Sequence, residues 1–331
     1  MKNSKILVVG SLVMDMITST EVFPGPGETV LGSDFRTATG GKGANQALQA
    51  RLLGADVTMV GKVGADEFGR QLTAALHTAS VHVGHVAATS EQPSAMGNIV
   101  VSLKNGQVQN NRIIVVPGAN MALTVEDTAF LQAEIDAYDM VLIQFEIPME
   151  VNEYVAEIAY KKRIPVLVNP APARYVPPSL LHKIRYICPN EYEASALTGC
   201  DLSRDASGLI SEAKLRTATD KLLSMGACEV VLTLGHQGAV YARENEWFFC
   251  PAIKKTTVKD PTAAGDSFIG AFSYAVCNGL APQQALQFAS CTAAITVSRM
   301  GAQPSLPALS EVLAFSEKQK LDIRSMFTQT H

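Results

Sequence analysis

Near its C-terminal end the chain carries Lys259-Asp260-Pro261-Thr262-Ala263-Ala264-Gly265-Asp266-Ser267-Phe268-Ile269-Gly270, small residues leading into one acid and then into an apolar run. Such a pattern reads as a tight loop that opens a buried helix. The first turn of a helix leaves backbone N–H groups without partners, and the macrodipole adds partial positive charge there, so a phosphate can sit on it. Ala263, Ala264 and Gly265 carry no bulk that would hold an anion away. Asp266 sets a carboxylate beside that anion, an unfavourable neighbour unless an acceptor hydroxyl lies between them and needs its proton held. Read alone, Asp266 is an ordinary helix cap.

A second motif far upstream changes that reading. Gly40-Gly41-Lys42-Gly43-Ala44-Asn45-Gln46-Ala47, followed by Gly54 and Gly64, stands in order with residues 260–273. Together these stretches resemble both signatures of the ribokinase family of carbohydrate kinases, and the resemblance runs from residue 10 to residue 305. It implies a doubly wound α/β fold, with a mostly parallel sheet flanked by helices and a small β-sheet lid over the sugar. The implied activity is transfer of the γ-phosphate of ATP to the terminal 5-hydroxyl of a pentose, with ribose the default. Asp266 would be the base, and Ala263, Ala264 and Gly265 the anion hole. Two rival readings remain: a deoxyribokinase or nucleoside kinase of the same family, and a sugar- or nucleotide-binding regulator without catalysis.

The resemblance also assigns residues. Asp15, Gly41, Lys42 and Asn45 match positions that hold the sugar, and Glu146 matches another near it. Lys42 also reads as a solvated loop lysine, and Glu146 as a first-turn acid of the next helix. Asn190 and Glu193 match an N-x-x-E element near the phosphates and the water shell of Mg²⁺; Asn and Glu three apart also form a capping box. Thr233-Leu234-Gly235-His236-Gln237-Gly238 resembles the nucleotide loop, so Thr233, Gly235 and Gly238, with Gly265, are the nucleotide-side candidates. His236 itself reads as a surface loop residue. Many members respond to a monovalent cation such as K⁺, and the matching positions are Asp260, Thr262, Thr296, Arg299, Gly301 and Ser305, mostly through carbonyls.

The residues narrow the chemistry independently. No G-x-x-x-x-G-K-[ST] is present, nor a G-x-G-x-x-G after the first strand, which argues against a P-loop enzyme and a dinucleotide oxidoreductase. Ser267 does not sit in a G-x-S-x-G elbow. Two positions depart from the family: Pro261 stands where Thr is more frequent and fixes φ before the anion loop, and ribokinases proper usually carry Asn two residues before the first sugar-binding Asp, where this chain has Val13. Valine cannot bond a hydroxyl, and a buried hydroxyl without its partner costs roughly 1–3 kcal/mol. A sugar lacking that hydroxyl, such as 2-deoxyribose, suits Val13.

Strands and helices must alternate to position these residues. Apolar runs predict strands over 5–10, 57–61, 140–145, 166–169, 185–188 and 229–234. Helical spacing covers 43–53, 66–79 with Asp66 as cap, 125–137 behind a Thr124/Asp127 capping box, and 148–162. Further helices are expected after Asn190 and over 265–278, 282–298 and 307–327. Residues 14–39, with turn residues Pro24-Gly25-Pro26-Gly27, and 94–116, with Asn105-Gly106 at the middle, break the alternation. They read as antiparallel strands of one small sheet, the lid, which in the family often makes a homodimer contact. We expect one α/β domain over 1–331 with the lid strands inserted at about 14–39 and 94–116.

Composition sets the outer limits. At 331 residues and 47% apolar content the chain can bury a large core. A net charge of −4 with no basic cluster argues against nucleic acid as partner, so a small ligand is expected. The six cysteines include no C-x-x-C and read as reduced thiols of a cytoplasmic protein. The first apolar run is broken by Gly10 and Ser11, unlike a signal peptide, and no run approaches membrane-spanning length.

Overall fold

The computed structural model describes residues 3–104, 107–253 and 256–327. In chain order the first elements are β1 (Lys5–Val9), β2 (Val13–Thr20), β3 (Gly32–Gly40), α1 (Lys42–Leu52), β4 (Asp56–Gly64), α2 (Glu67–Thr78) and β5 (His82–Thr89). Then come β6 (Met96–Lys104), β7 (Gln107–Val116), α3 (Leu131–Glu134), β8 (Met140–Gln144), α4 (Met149–Lys161), β9 (Val166–Asn169) and α5 (Pro178–Leu181). The remainder is β10 (Tyr186–Ile187), α6 (Glu191–Thr198), α7 (Glu212–Ser224), β11 (Glu229–Thr233), β12 (Gly238–Arg243), β13 (Glu246–Pro251), α8 (Ala264–Cys277), α9 (Pro282–Thr296), α10 (Leu309–Lys318) and α11 (Ile323–Met326).

Nine strands form one sheet in the order β13-β12-β11-β10-β9-β8-β1-β4-β5, parallel except for the β11-β12-β13 edge. Its central strands are buried on both faces, which is why they read as unbroken apolar runs. Ile6 and Val8 of β1 face one core, with α1, α8 and α9. Leu7 and Val9 face the other, with α4 and α7. From β1 the chain winds outward to β4 and β5, then returns to the other side of β1 as β8. In such sheets ligands bind beyond the carboxyl ends of the strands where the order reverses, here between β1 and β8.

The second sheet has the order β3-β2-β6-β7, from the two stretches expected to form the lid. One expectation is corrected: β2 and β6, its central pair, run parallel. They are not joined by a hairpin; β4, α2 and β5 lie between them, so β6 enters the lid in the direction β2 entered it. The β2–β3 and β6–β7 pairs are antiparallel as expected, while the Asn105-Gly106 turn lies outside the described residues.

Other elements differ in detail. The stretch 125–137 forms two 3₁₀ turns around the four-residue α3. There the Thr128 hydroxyl donates back to the Val125 carbonyl, and Lys62 draws Asp127 toward β4, so no continuous helix develops. The stretch 307–327 is two helices, parted by Lys320 in the left-handed region at φ 59°. Strands β5, β12 and β13 and helix α7, absent from the sequence reading, sit toward the sheet's edges or on its face, where the alternation is diluted by polar residues.

Helix α1 docks on the turn after β1 with almost no side chain between them. The Ala44 amide donates to the Ser11 carbonyl at 2.9 Å. A Cβ on Gly43 would lie 2.6 Å from the Ser11 nitrogen and 2.8 Å from the Gly10 carbonyl carbon, both backbone atoms that cannot swing aside. Helix propensity alone would favour alanine at position 43 by about 1 kcal/mol, but overpacking against fixed backbone costs about 1–3 kcal/mol. Gly43→Ala is therefore expected to lower stability, seen as a lower urea midpoint at unchanged slope; an equal or higher midpoint would contradict this packing.

Candidate active site

The N-terminal turns of α1 and α8 meet beyond the carboxyl ends of the strands. Asp266 lies in the first turn of α8 and is 8% exposed. Before it, Ala263 adopts the left-handed conformation at φ 59°, bending the loop into the helix, and the Ser267 amide closes the turn on the Ala263 carbonyl at 2.8 Å. A non-glycine residue in that region is uncommon and often marks a functional turn. The amides of Gly265 and Asp266 have no carbonyl one turn back to bond. Nothing lies within 4 Å of a Cβ built on Gly265, so the space before them is open.

That space is a cleft of ≈ 230 Å³ whose lining includes Lys42, Asn190, Glu193, Thr233, Gly265 and Asp266. The carboxylate of Asp266 accepts from Asn45 Nδ2 and from Gln46 Nε2, each at 3.0 Å, both residues belonging to α1. Burial pushes the Asp266 carboxyl above the usual carboxylate range; Lys42 and these two amides oppose the rise and Glu146 adds to it. Burial likewise pulls on the Lys42 ammonium, but Asp266, Glu146 and Glu193 together hold it above its ordinary value. Lys42 thus lines the cleft within the field of three acids.

The sugar-side candidates form a neighbouring group. Glu146, just past β8, accepts from the Ser11 hydroxyl and from the Lys42 amide, the latter at 3.2 Å. Asp15 on β2 lies between the neighbouring strands where they carry Gly40 and Gly97; a Cβ at either position would come within 2.9 Å of its carboxylate. Gly41 has φ 95° and would meet the Val13 nitrogen at 2.7 Å, so only glycine fits the turn into α1. Asn45 spends its amide on Asp266, while its buried Oδ1 has no partner among the described residues.

On the opposite rim Asn190 and Glu193 form the complete capping box of α6. The Glu193 amide donates to Asn190 Oδ1 at 2.8 Å, and the Asn190 amide to Glu193 Oε2 at 2.8 Å. Thr233 pairs with Asn190 through an isolated parallel bridge. Gly235 and Gly238, with φ 54° and 123°, bend the chain from β11 into β12, outside the residues lining the cleft. Arg204 buttresses that bend, donating to the Leu234 carbonyl at 3.0 Å and pairing with Glu191 at 2.6 Å.

The six cation candidates fall on the loop before α8 and on residues 296–305. Asp260 ties these together: its Oδ1 accepts from the Thr262 amide at 2.9 Å and its Oδ2 from the Gly301 amide at 2.8 Å. The Thr296 hydroxyl is taken up by Ser267 and by the Thr292 carbonyl, the Ser305 hydroxyl by the Ala302 carbonyl, and the Arg299 side chain by Glu311. What these residues leave to offer is mostly carbonyl oxygen beside one carboxylate, a donor set suited to a hard monovalent ion. No group of three or more His, Cys, Asp or Glu side chains suited to a metal occurs among the described residues.

Sequence reasoning passed over Ser11, Gln46, Gln144, Asn169, Arg174 and Arg204. Ser11 and Gln46 stood next to or inside quoted motifs; Gln144 is hidden in an apolar strand. Arg174 lies 5.3 Å from the centre of the Phe145 ring and feels the charge of Glu146.

A cleft that pairs a buried acid with free helix-terminal amides, at the carboxyl ends of strands β9, β10 and β11 of a doubly wound sheet, defines a phosphoryl-transfer site of the alcohol-kinase class. The chain matches the pfkB family of carbohydrate kinases over residues 3–309 and belongs to that family. A ribokinase of Schizosaccharomyces pombe is 37% identical over 317 residues, covering 93% of this chain and 96% of its own. A deoxyribokinase of Salmonella typhimurium is 31% identical over 307 residues, covering 92% and 96%. The structure of Arabidopsis thaliana ribokinase complexed with ribose and ATP superposes with a TM-score of 0.85 at 30% identity, covering 95% of this chain and 99% of that one. Among the described residues no helix is long and apolar enough to cross a membrane.

Burial, and then Glu146, push the Asp15 carboxyl up to about 6. Removing the like charge with Glu146→Gln is expected to move its titration toward acid while burial keeps it above the ordinary range. Carboxyl ¹³C NMR, with Asp15→Asn to assign the signal, checks this; an unmoved titration would disconnect the two acids.

Proposed function

We propose that the protein transfers the γ-phosphate of ATP to the terminal 5-hydroxyl of a pentose, D-ribose in the first instance. The observation that carries this reading is Asp266 in the first turn of α8, its buried carboxylate beside the open amides of Gly265 and Asp266. Those amides, with Ala263 and Ala264 keeping the approach free of bulk, would receive charge on the transferring group. Asp15, Gly41, Lys42, Asn45 and Glu146 would hold the sugar; the unpartnered Asn45 Oδ1 is an acceptor ready for a hydroxyl.

The acceptor oxygen bonds to the γ-phosphorus as the bond to the β–γ bridging oxygen breaks, and ADP leaves with that oxygen. Because such transition states are largely dissociative, the hydroxyl proton passes late, and Asp266 orients it first and accepts it afterwards. Its raised pKa helps the late acceptance, since a buried carboxylate gains by becoming neutral. Lys42 opposes that rise and so favours the anion before transfer. Asn190, Glu193, Thr233, Gly235 and Gly238 would hold the nucleotide. Mg²⁺ bound with it, near Asn190 and Glu193, would neutralise phosphate charge. K⁺ at Asp260, Thr262, Thr296, Arg299, Gly301 and Ser305 would stiffen the loop before α8.

A second sugar, 2-deoxyribose, is favoured by one position. Val13 is 7% exposed and shares a face of β2 with Asp15 two residues on, so an apolar group lines the sugar side of the lid. The likeness to a deoxyribokinase supports the same alternative.

One assay addresses both: ADP release with ATP and Mg²⁺, with and without K⁺, against ribose, 2-deoxyribose, hexoses and nucleosides. Asp266→Asn should bind ATP and lose about 10²–10⁴-fold in kcat; unimpaired turnover would remove Asp266 as base. Val13→Asn should shift preference toward ribose, and an unchanged ribose/deoxyribose ratio would end the role given to Val13.

We further propose a cytoplasmic homodimer joined through the lid. The six cysteines are unbridged, in keeping with a reducing compartment. Ile113, Ile114, Val115 and Val116 of β7 are all exposed, as is Phe35 of β3, an apolar edge a soluble lid covers. Ile114→Lys should lower the sedimentation coefficient to that of a monomer. A wild-type coefficient already monomeric would remove the dimer.

A further inference from the structure

Around Asp266 stands a set of amides that the mechanism above does not use, two of them shut off from solvent and the third, Asn169, on the wall of the cleft. Gln46 and Gln144 are 0% exposed and Asn169 is 7% exposed. Gln46 lies on α1, one residue past Asn45, and its Nε2 reaches Asp266 Oδ1 at 3.0 Å. The same Nε2 lies 3.4 Å from Asn169 Oδ1 at the end of β9. Gln46 Oε1 in turn accepts from Gln144 Nε2 at 2.8 Å, at the end of β8. Asn169 is fixed by its own amide, which donates to the Cys188 carbonyl at 3.0 Å.

These bonds leave the Gln46 amide one orientation. Turned over, its oxygen would face the Asp266 carboxylate and the Asn169 oxygen, and its nitrogen would face the Gln144 donor; every contact would pair like with like. Gln144 has its place because residue 10 is glycine: a Cβ there would lie 1.9 Å from Gln144 Oε1. That oxygen has no partner among the described residues. An amide in the middle of an apolar sheet with one atom unpaired is costly.

We propose that Gln144 and Gln46 form a relay that holds the Asp266 carboxylate in one orientation and in its ionised form, making Gln46 a positioning residue for the acid. A carboxylate has about four acceptor sites. Gln46 takes one on Oδ1 and Asn45 one on Oδ2, which leaves a site on each oxygen for an acceptor hydroxyl. Asn45 contributes the same bond but leaves its own buried oxygen without a partner among the described residues, whereas both ends of the Gln46 amide are engaged. The consequence for turnover rests on Asp266 acting as the base.

The charged and titratable groups facing Asp266 are Lys42 from α1, Glu146 beyond β8 and Glu193 from α6. The relay leaves all three in place. Removing the Gln46 donor therefore withdraws one stabiliser of the anion while burial continues to favour the neutral acid. The carboxyl should then titrate at higher pH, and a rate that needs the anion should lose its acidic side first.

The test is carboxyl ¹³C NMR of the full chain, the Asp266 signal assigned through Asp266→Asn, alongside the pH profile of kcat. Gln46→Met should move the Asp266 titration alkaline by about one pH unit, and Gln144→Met by less. Gln46→Glu, nearly isosteric, should move it further and serves if the methionine variant does not fold. Equal titrations in wild type and variants would overturn the relay and leave Gln46 as core filling. An NMR shift mirrored by the acidic limb of kcat supports both the relay and the base. An NMR shift with an unmoved limb supports the relay and sinks Asp266 as base instead.

Discussion

Removing a carboxylate from water costs several kcal/mol unless charges and donors replace the lost solvent. The site is arranged around that constraint. Asp266 has Lys42 nearby, two side-chain amides bonded to it and the N-terminal end of α8 beneath it. Each compensating group comes from α1 or α8, so the placement of the charge depends on how those helices meet. They meet through small residues: a Cβ on Gly270 of α8 would lie 2.9 Å from the Gln46 carbonyl oxygen. Deeper along the seam Ser267 bonds Gln49 and Thr296, linking the acid's own helix to α1 and α9.

The same helix α1 serves two groups at once. Its first amide, from Lys42, reaches Glu146, while its next turn carries Asn45 and Gln46 toward Asp266. The two groups are therefore registered to each other by a single rigid element. The lid enters from the same corner: Asn120 accepts from the Leu12 amide and donates to the Leu12 carbonyl, pinning the link between β1 and β2. Asp15 and Val13 leave from that pinned point.

Much of this was legible because the chemistry constrains residue size as well as type. Gly40, Gly41, Gly43 and Gly265 are visible in sequence, and each turns out to mark a close approach, a special backbone angle or open space for a ligand. Central strands announced themselves through burial on both faces. Gln144 did not, since one amide at the end of Met140-Val141-Leu142-Ile143 looks like the edge of an apolar run, and its partner is 98 residues away. The parallel β2–β6 pair was equally hidden, because local sequence shows a hairpin but not which strands of two hairpins lie side by side. The break at Lys320 depends on a left-handed residue without glycine, for which the sequence offers no mark.

The bonds that assemble the acid join residues 221 and 220 positions apart, and the one that ties Glu146 to α1 spans 104. Closing loops of that length costs chain entropy before any contact repays it. During synthesis the sheet around β1, β4 and β8 and the strands of the lid are all present before α8 has been made. A nascent chain at that stage has Lys42, Glu146 and Glu193 but no Asp266, and Asn45 and Gln46 have nothing to hold. The acid and the amides that hold it therefore come together only once the last third of the chain has been added to the sheet.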